Sequence, residues 1–118
     1  MPFVELNTNL PASRFSEEFL KKLTSTTASA LGKPEDRMIV QVNPDLPLFV
    51  FGSSAPCVIL SVAGIGVTDT AEKNRDNSAK IFPFLTQELG LSEDRVVIRF
   101  SPLEAWQVGK KGTVVTFL

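Results

Sequence analysis

An internal repeat constrains the fold of this chain more than any other feature of its sequence. Residues 31–44 resemble residues 89–102 at a constant offset of 58, with six of fourteen positions identical and most apolar positions matched. Self-similarity at a fixed period is the mark of a repeated structural unit. We therefore expect one domain over residues 1–118, built from two repeats at about 2–58 and 59–118. A chain of this length buries roughly two-thirds of its unfolded surface.

Each repeat has the pattern strand, helix, strand. Apolar segments predict strands at residues 3–7, 38–42, 57–65 and 96–100, and helical spacing of apolar residues predicts a helix within each repeat. Pro11 and Ser13 indicate the start of the first helix, as a fixed φ and a capping hydroxyl would. Gly32 and Gly90 predict left-handed caps at the ends of the two helices. Short additional strands are predicted at 48–51 and 113–118, where they could extend the sheet edge of a neighbour.

Pro83 lies inside the second helical pattern, where a proline removes one hydrogen bond at a cost of about 3 kcal/mol. Either the helix is kinked there or it starts later than the pattern suggests. We favour the kink, because Ile81 and Phe82 keep the phase of the apolar residues that follow.

Two such units with right-handed crossovers predict an α+β fold, in which a four-stranded mixed sheet has both helices on one face. Residues 57–63 and 96–98 are mostly apolar at both odd and even positions, which is typical of strands buried on both faces. Two helices can cover only one of these faces. We therefore expect a closed homo-oligomer whose sheets surround a central axis.

The composition excludes several kinds of chemistry. The chain has no histidine and no tyrosine, so a histidine-based triad is impossible and a Cys/His zinc site is not expected. Its one cysteine, Cys57, excludes an intrachain disulfide and fits a reducing cytosol. The net charge of −1 and short apolar runs predict no nucleic-acid or membrane partner and no signal peptide. Acid–base chemistry is left to carboxylates, lysine, cysteine or the terminal amine, without a metal or other cofactor.

Pro2 follows the initiator methionine, and methionine before a small residue is normally removed. Removal would leave Pro2 as a free secondary amine at the start of the first strand. A solvated α-amino group has a pKa of about 7.7–8.0, and an apolar pocket or a nearby cation lowers it. Pro2 is therefore a candidate general base at neutral pH. The alternative is chance, since proline makes up about 5% of average sequence.

From end to end, the chain resembles the macrophage migration inhibitory factor family of the tautomerase superfamily. The resemblance rests on residues 1–11, 31–34, 52–57, 65–67, 74–75, 92–96 and 112–118. It implies a homotrimer of paired β-α-β repeats, with an active site at each subunit boundary and Pro2 as catalytic base. Val97, Arg99 and the ending at 113–118 are similar to the branch that decarboxylates D-dopachrome to 5,6-dihydroxyindole and carbon dioxide, a reaction of melanin biosynthesis. Leu60 stands where relatives with a Cys-x-x-Cys pair have the second cysteine, which argues against thiol-redox activity.

The resemblance also assigns roles to individual residues of the site. It implies that Lys33 and Arg99 bind the substrate carboxylate, with Arg99 supplied by the neighbouring subunit, and that Ile65 lines the pocket beside Pro2. Lys33 would also lower the pKa of Pro2. From the residues alone, Lys33 could equally be a surface lysine at a helix C-terminus. Arg99 could be a solvated charge on a strand, and Ile65 a core residue.

Three further residues are pocket-edge candidates by resemblance: Arg37, Trp106 and Phe117. Arg37 has a counterpart in the other repeat, Arg95, and both follow an aspartate. That equivalence favours a structural turn role for Arg37. Core packing is the favoured interpretation for Trp106 and Phe117.

The mechanism and the physiological role leave alternatives open. An ion pair at the carboxylate stabilises the ground state, so Arg99 could either position the substrate or hinder loss of carbon dioxide. Relatives act as cytokine-like ligands of the invariant-chain receptor, which implies a second possibility: a cytoplasmic protein, exported without a signal peptide, whose pocket is largely vestigial. A third possibility is a keto–enol tautomerase with a different substrate.

Overall fold

The computed structural model describes residues 1–118 as a four-stranded sheet covered on one face by two helices. The elements are β1 (Phe3–Thr8), α1 (Glu17–Leu31), β2 (Ile39–Asn43), β3 (Val58–Ile65), α2 (Ala71–Leu89), β4 (Val96–Leu103), β5 (Gly109–Lys110) and β6 (Thr113–Val114). The predicted order of strand, helix and strand in each repeat is confirmed. No helix is both long enough and apolar enough to cross a membrane.

The two repeats meet at the centre of the sheet, whose strand order is β2-β1-β3-β4. Each repeat contributes a parallel pair, and the central strands β1 and β3 are antiparallel. Val4 pairs with Val62, its own equivalent at the offset of 58. A pseudo-twofold axis therefore passes between these residues, and the mixed sheet follows from the repeat.

The core lies between the sheet and the helices. Alternate residues of the central strands face the helices and are buried, as the period of two requires. On α2, Ile81, Leu85 and Leu89 follow each other at intervals of four, so they form one buried stripe. Residues from four elements, β1, α1, β3 and α2, make up most of the fully buried set: Val4, Leu6, Leu23, Val58, Leu60, Val62, Ile81 and Leu85.

Helix α1 begins later than Pro11 and Ser13 suggest, and that prediction is wrong. Residues 12–14 form a short 3-10 turn, and the chain is then extended through Ser16. The hydroxyl of Ser16 accepts a hydrogen bond from the N–H of Phe19 at 3.2 Å, so Ser16 is the N-cap. Several residues in this stretch could cap a helix, and the one followed by two glutamates does so.

The ends of both helices agree with the prediction. Gly32 and Gly90 have φ of 67° and 66°, the left-handed conformation of a C-cap. Helix α2 continues through Pro83, which is exposed on its surface. The alternative of a later start is therefore wrong.

The two short strands predicted at 48–51 and 113–118 are only partly present in the single chain. In the segment 48–51 only an isolated bridge between Val50 and Ser53 is present. The guanidinium of Arg95 donates hydrogen bonds to the carbonyl groups of Val50 and Ser53 in this loop. These carbonyls are then not free to form the hydrogen bonds of a strand ladder. At the other end of the chain, β6 covers only Thr113–Val114, and residues 115–117 form a 3-10 turn.

The face of the sheet opposite the helices is open in the single chain. It is less apolar than predicted, because a polar row of Gln41, Glu5, Ser61 and Arg99 crosses all four strands in register. On either side of this row lie half-buried or exposed apolar residues. Among them, Phe3 and Ile39 are 38% and 41% exposed.

Candidate active site

Pro2 is fully buried at the edge of the core, where β1 begins. Its carbonyl oxygen accepts a hydrogen bond from the N–H of Ile39 at 3.0 Å. On the other side lies Gly64 of β3, and a Cβ added there would be 3.8 Å from the Cβ of Pro2. The ring of Pro2 is therefore held between the two strands that flank β1.

A cavity of about 530 Å³ opens at the amino terminus. Three of its lining residues have cationic side chains and none has an acidic side chain; the lining consists of Met1, Arg37, Lys110, Lys111, Val115 and Leu118. Met1 lines this cavity, and Pro2, the next residue in the chain, is buried and is not part of the lining.

The electrostatics of this end of the molecule disfavour a protonated amine. The pKa of the amino group at Met1 lies below its ordinary value of 8.0, chiefly because burial disfavours the cation. Repulsion by Lys33, Arg37 and Lys110 lowers this pKa further. The cavity is thus a place where an amine loses its proton more readily than in water.

Lys33 and Arg37 reach the amino terminus because of the repeat topology. Helix α1 ends at its cap, Gly32, and the backbone N–H of Lys33 bonds to the carbonyl of Ala28 at 3.0 Å. The chain then makes a 3-10 turn over Glu35–Arg37 and enters β2, which is parallel to β1. In a strand–helix–strand unit this connection returns to the end at which the first strand starts. That end carries the terminal amine.

Lys110 and Lys111 belong to the cavity, although they are not among the site residues predicted from the sequence. They lie in the β5–β6 hairpin, where Lys111 and Gly112 have φ of 55° and 79°. Two successive residues with positive φ are typical of the tight turn that joins antiparallel strands. The sequence Lys-Lys-Gly between two short apolar segments indicates a turn. It does not show that this turn faces the amino terminus.

Ile65 and Arg99 lie elsewhere in the single chain. Ile65 is half-buried at the end of β3, next to Gly64, and does not line the cavity at Met1. Arg99 is exposed on the open face of the sheet, where its Nη2 donates to the Oγ of Ser61 at 3.4 Å. Pro2, just before β1, is on the same side as Val4 and Leu6, which face the helices, whereas Arg99 is on the opposite face of the sheet. One chain therefore does not bring Arg99 and Pro2 together.

The side chains of Trp106 and Phe117 are 65% and 79% exposed, so the favoured core-packing interpretation is wrong. Both lie in short 3-10 turns, at 105–107 and 115–117, that contact each other beyond the sheet. No helix covers this part of the chain. Phe117 stands between two residues that line the cavity, although it is not itself part of the lining.

The repeat-related arginines Arg37 and Arg95 have different surroundings. Arg95 donates hydrogen bonds to backbone carbonyls of Val50, Ser53, Ala55 and Pro56, at 2.7 to 3.2 Å. Arg37 is exposed, makes no side-chain hydrogen bond and lines the cavity. The structural role favoured for both from their equivalence therefore fits Arg95 and does not fit Arg37.

Paired β-α-β repeats in one sheet, with a cation-lined cavity at the amino terminus and a buried proline at position 2, define the tautomerase-superfamily class of small α+β proteins. The chain belongs to the macrophage migration inhibitory factor family, whose family model matches residues 1–116. It is 58% identical to a D-dopachrome decarboxylase of Mus musculus and 57% identical to one of Bos taurus, in both cases over 118 residues and 100% of each chain. The macrophage migration inhibitory factor of Trichinella spiralis has a similar structure, with a TM-score of 0.86 at 31% identity, covering 95% of this chain and 98% of that one. The family resemblance of the sequence is therefore confirmed.

Proposed function

We propose that this protein is a lyase that converts D-dopachrome to 5,6-dihydroxyindole and carbon dioxide, with Pro2 as the proton-transferring base after Met1 is removed. The observation that carries the proposal is the cation-lined cavity that opens at Met1, the residue that precedes Pro2 in the chain. The reaction is that of the relatives named D-dopachrome decarboxylase, which are 52–58% identical over the full chain.

Removal of Met1 would place the amine where it loses its proton readily. The new terminus lies one residue further into the fold, at a ring that is already fully buried. Burial is the largest cause of the lowered pKa at Met1, and the cations Lys33, Arg37 and Lys110 remain nearby. A secondary amine at this position is then neutral over more of the physiological range, as a general base must be.

The same cations suit the substrate, whose carboxylate needs a positive partner in a partly enclosed site. Lys33 and Arg37 are the two that approach the amine from the α1–β2 connection. An arginine can bind a carboxylate through two parallel N–H groups, whereas a lysine acts as a point charge. Binding of the carboxylate here would orient the α-carbon of the substrate towards Pro2.

The chemistry then needs no cofactor. The bond between the α-carbon and the carboxylate breaks, and its electron pair passes into the quinone, which is reduced to the catechol as carbon dioxide leaves. The two oxygens of the catechol then need two protons: one moves from a ring carbon, which restores the aromatic indole, and the other is taken up from solvent because the carboxylate leaves as carbon dioxide. The neutral amine of Pro2 takes up the proton of the ring carbon and returns it, so Pro2 is unchanged after one turnover.

A homotrimer would complete this site. In one chain Arg99 lies on the open sheet face and Pro2 packs towards the core, so Arg99 can meet a substrate at Pro2 only from another subunit. The open face carries exposed Phe3 and Ile39, and a second copy would cover them. Ile65, half-buried beside Gly64, would line the pocket near that subunit boundary.

A second candidate function is protein binding, as a cytokine-like ligand of the invariant-chain receptor. The loop before β3 presents Phe49 and Phe51, each 78% exposed, and large exposed aromatic side chains are typical of protein interfaces. The same loop could instead contact a neighbouring subunit. This function predicts a cytoplasmic protein that is also exported, and receptor binding that does not depend on Pro2.

Turnover of D-dopachrome and L-dopachrome by the Met1-free protein tests the enzymatic proposal. We expect one carbon dioxide and one 5,6-dihydroxyindole for each D-dopachrome consumed, and at least a hundredfold loss of turnover when Pro2→Gly is introduced, as for removal of a general base. Protein that retains Met1 should be equally inactive. Full turnover in either altered form would overturn the role of Pro2, and receptor binding without any turnover would favour the second function.

A further inference from the structure

The cavity at the amino terminus carries more positive charge than a single substrate carboxylate requires. Arg37, Lys110 and Lys111 line it, and Lys33 lies close enough to lower the pKa of the terminal amine. Lys111 is the only one of the four that has no such effect on the amine. The charge of Lys111 is therefore needed neither to lower the pKa of the base nor to bind the first carboxylate.

Lys111 also has an unusual conformation. Its φ is 55°, in a left-handed region that side chains other than those of Asn and Asp seldom adopt. Glycine, asparagine or aspartate is the usual residue at this position of a two-residue hairpin turn. Residues kept in such conformations are found preferentially at functional sites.

The lysines of the hairpin have no partner within the chain. Neither Lys110 nor Lys111 donates a side-chain hydrogen bond or forms an ion pair, whereas Lys22 and Lys73 are paired with Glu88 and Asp69. Both hairpin lysines are exposed at the cavity, so their ammonium groups can contact a ligand. A space of about 530 Å³ is within the range that holds small organic ligands.

From this arrangement we propose that Lys111, with Lys110, forms a second anion subsite that selects aromatic substrates with two carboxylates over substrates with one. The first carboxylate lies near Lys33 and the base, and the second lies at the hairpin. The proposal rests on the proposed function for the position of the base, but it concerns binding and adds no chemical step. It assigns the site a preferred substrate class that extends beyond D-dopachrome, which has one carboxylate.

A matched pair of ligands that do not react tests the subsite: phenylacetate with one carboxylate, and 4-carboxyphenylacetate with two. Calorimetry on the Met1-free protein should show the dianion bound at least about fivefold more tightly, the effect of one partly solvated ion pair. The preference should shrink as salt is raised. Equal affinity of the parent protein for the two ligands would overturn the proposal.

Three variants locate the effect. Lys111→Asn removes the charge and suits the positive φ, so the hairpin should fold normally and the preference for the dianion should fall about fivefold. Lys111→Arg should retain the preference. Lys80→Gln, on the exposed surface of α2, makes the same change in net charge and should leave the preference as it is. Equal weakening of both ligands by Lys111→Asn, or an equal effect of Lys80→Gln, would show a general charge effect and no subsite.

Because this readout is binding, it stays informative if D-dopachrome is not a substrate. If the Met1-free protein does not turn over D-dopachrome but still prefers the dianion, only the proposed function is contradicted. Normal turnover without any such preference would contradict the subsite only.

Discussion

The carbonyl oxygen of Pro2 accepts a hydrogen bond from the backbone N–H of Ile39 at 3.0 Å. This bond, and the packing of the ring against Gly64, hold Pro2 without using its nitrogen. The nitrogen is therefore free to become the terminus without loss of the contacts that fix the residue.

Removal of Met1 should accordingly have little effect on folding. We expect the free energy of unfolding of the Met1-free protein to lie within about 1 kcal/mol of that of the protein with Met1, as for surface changes that leave the core intact. Denaturant unfolding at one pH, monitored by tryptophan fluorescence, measures the free energy of unfolding of each form. A loss of more than about 2 kcal/mol would mean that Met1 is itself needed to hold Pro2 in place.

The two equivalent arginines should respond differently to the same substitution. Arg95→Lys replaces a planar group that donates to four carbonyls, so it should cost about 2 kcal/mol of stability through carbonyls left without a donor. Arg37→Lys should change stability by less than about 0.5 kcal/mol, because Arg37 makes no side-chain hydrogen bond. Each variant is the control for the other in thermal and denaturant unfolding. Similar losses in both would show that the structural role is shared.

Gly64 should not tolerate a side chain. A Cβ at this position would clash with the Cγ2 of Val67, which is β-branched and cannot easily move aside. We expect Gly64→Ala to destabilise the protein by about 1–3 kcal/mol. In the double variant with Val67→Ala the clash is absent, so the two losses should not add. Strict additivity in this double-mutant cycle would refute the contact.

The repeat accounts for most of what the sequence could predict about the fold. An offset of 58 makes Val4 and Val62 equivalent, and the sheet places them opposite each other. Glycine at the two helix ends also specified the caps, since few other residues adopt a positive φ there. These features depend on neighbouring residues or on the period, which a sequence shows directly.

Features that depend on distant contacts could not be predicted in the same way. The segment 48–51 has the composition of a strand. However, Arg95, more than forty residues away in sequence, donates hydrogen bonds to carbonyls of this loop. Several residues before α1 could cap it, and only the backbone shows that Ser16 does. The charges of Lys110 and Lys111 belong to the cavity because a hairpin turns towards the amino terminus, and no local pattern shows that direction.

The catalytic role proposed for Pro2 depends on the protonation state of its nitrogen, which titration of that atom measures. A buried amine near cations has a lowered pKa, so its neutral fraction, and with it kcat/KM, should rise with pH through a midpoint below the ordinary 7.7–8.0. Lys33→Gln removes one repelling charge and should move the midpoint to higher pH, whereas the distant Lys80→Gln should not.

The measurement is the pH dependence of the ¹⁵N shift of Pro2 in Met1-free protein, recorded beside the pH dependence of kcat/KM for D-dopachrome. We predict one shared midpoint, below the range of a solvated α-amino group, that rises in Lys33→Gln. A Pro2 nitrogen that titrates at or above that range, or a kcat/KM that does not follow its titration, would show that Pro2 is not the base.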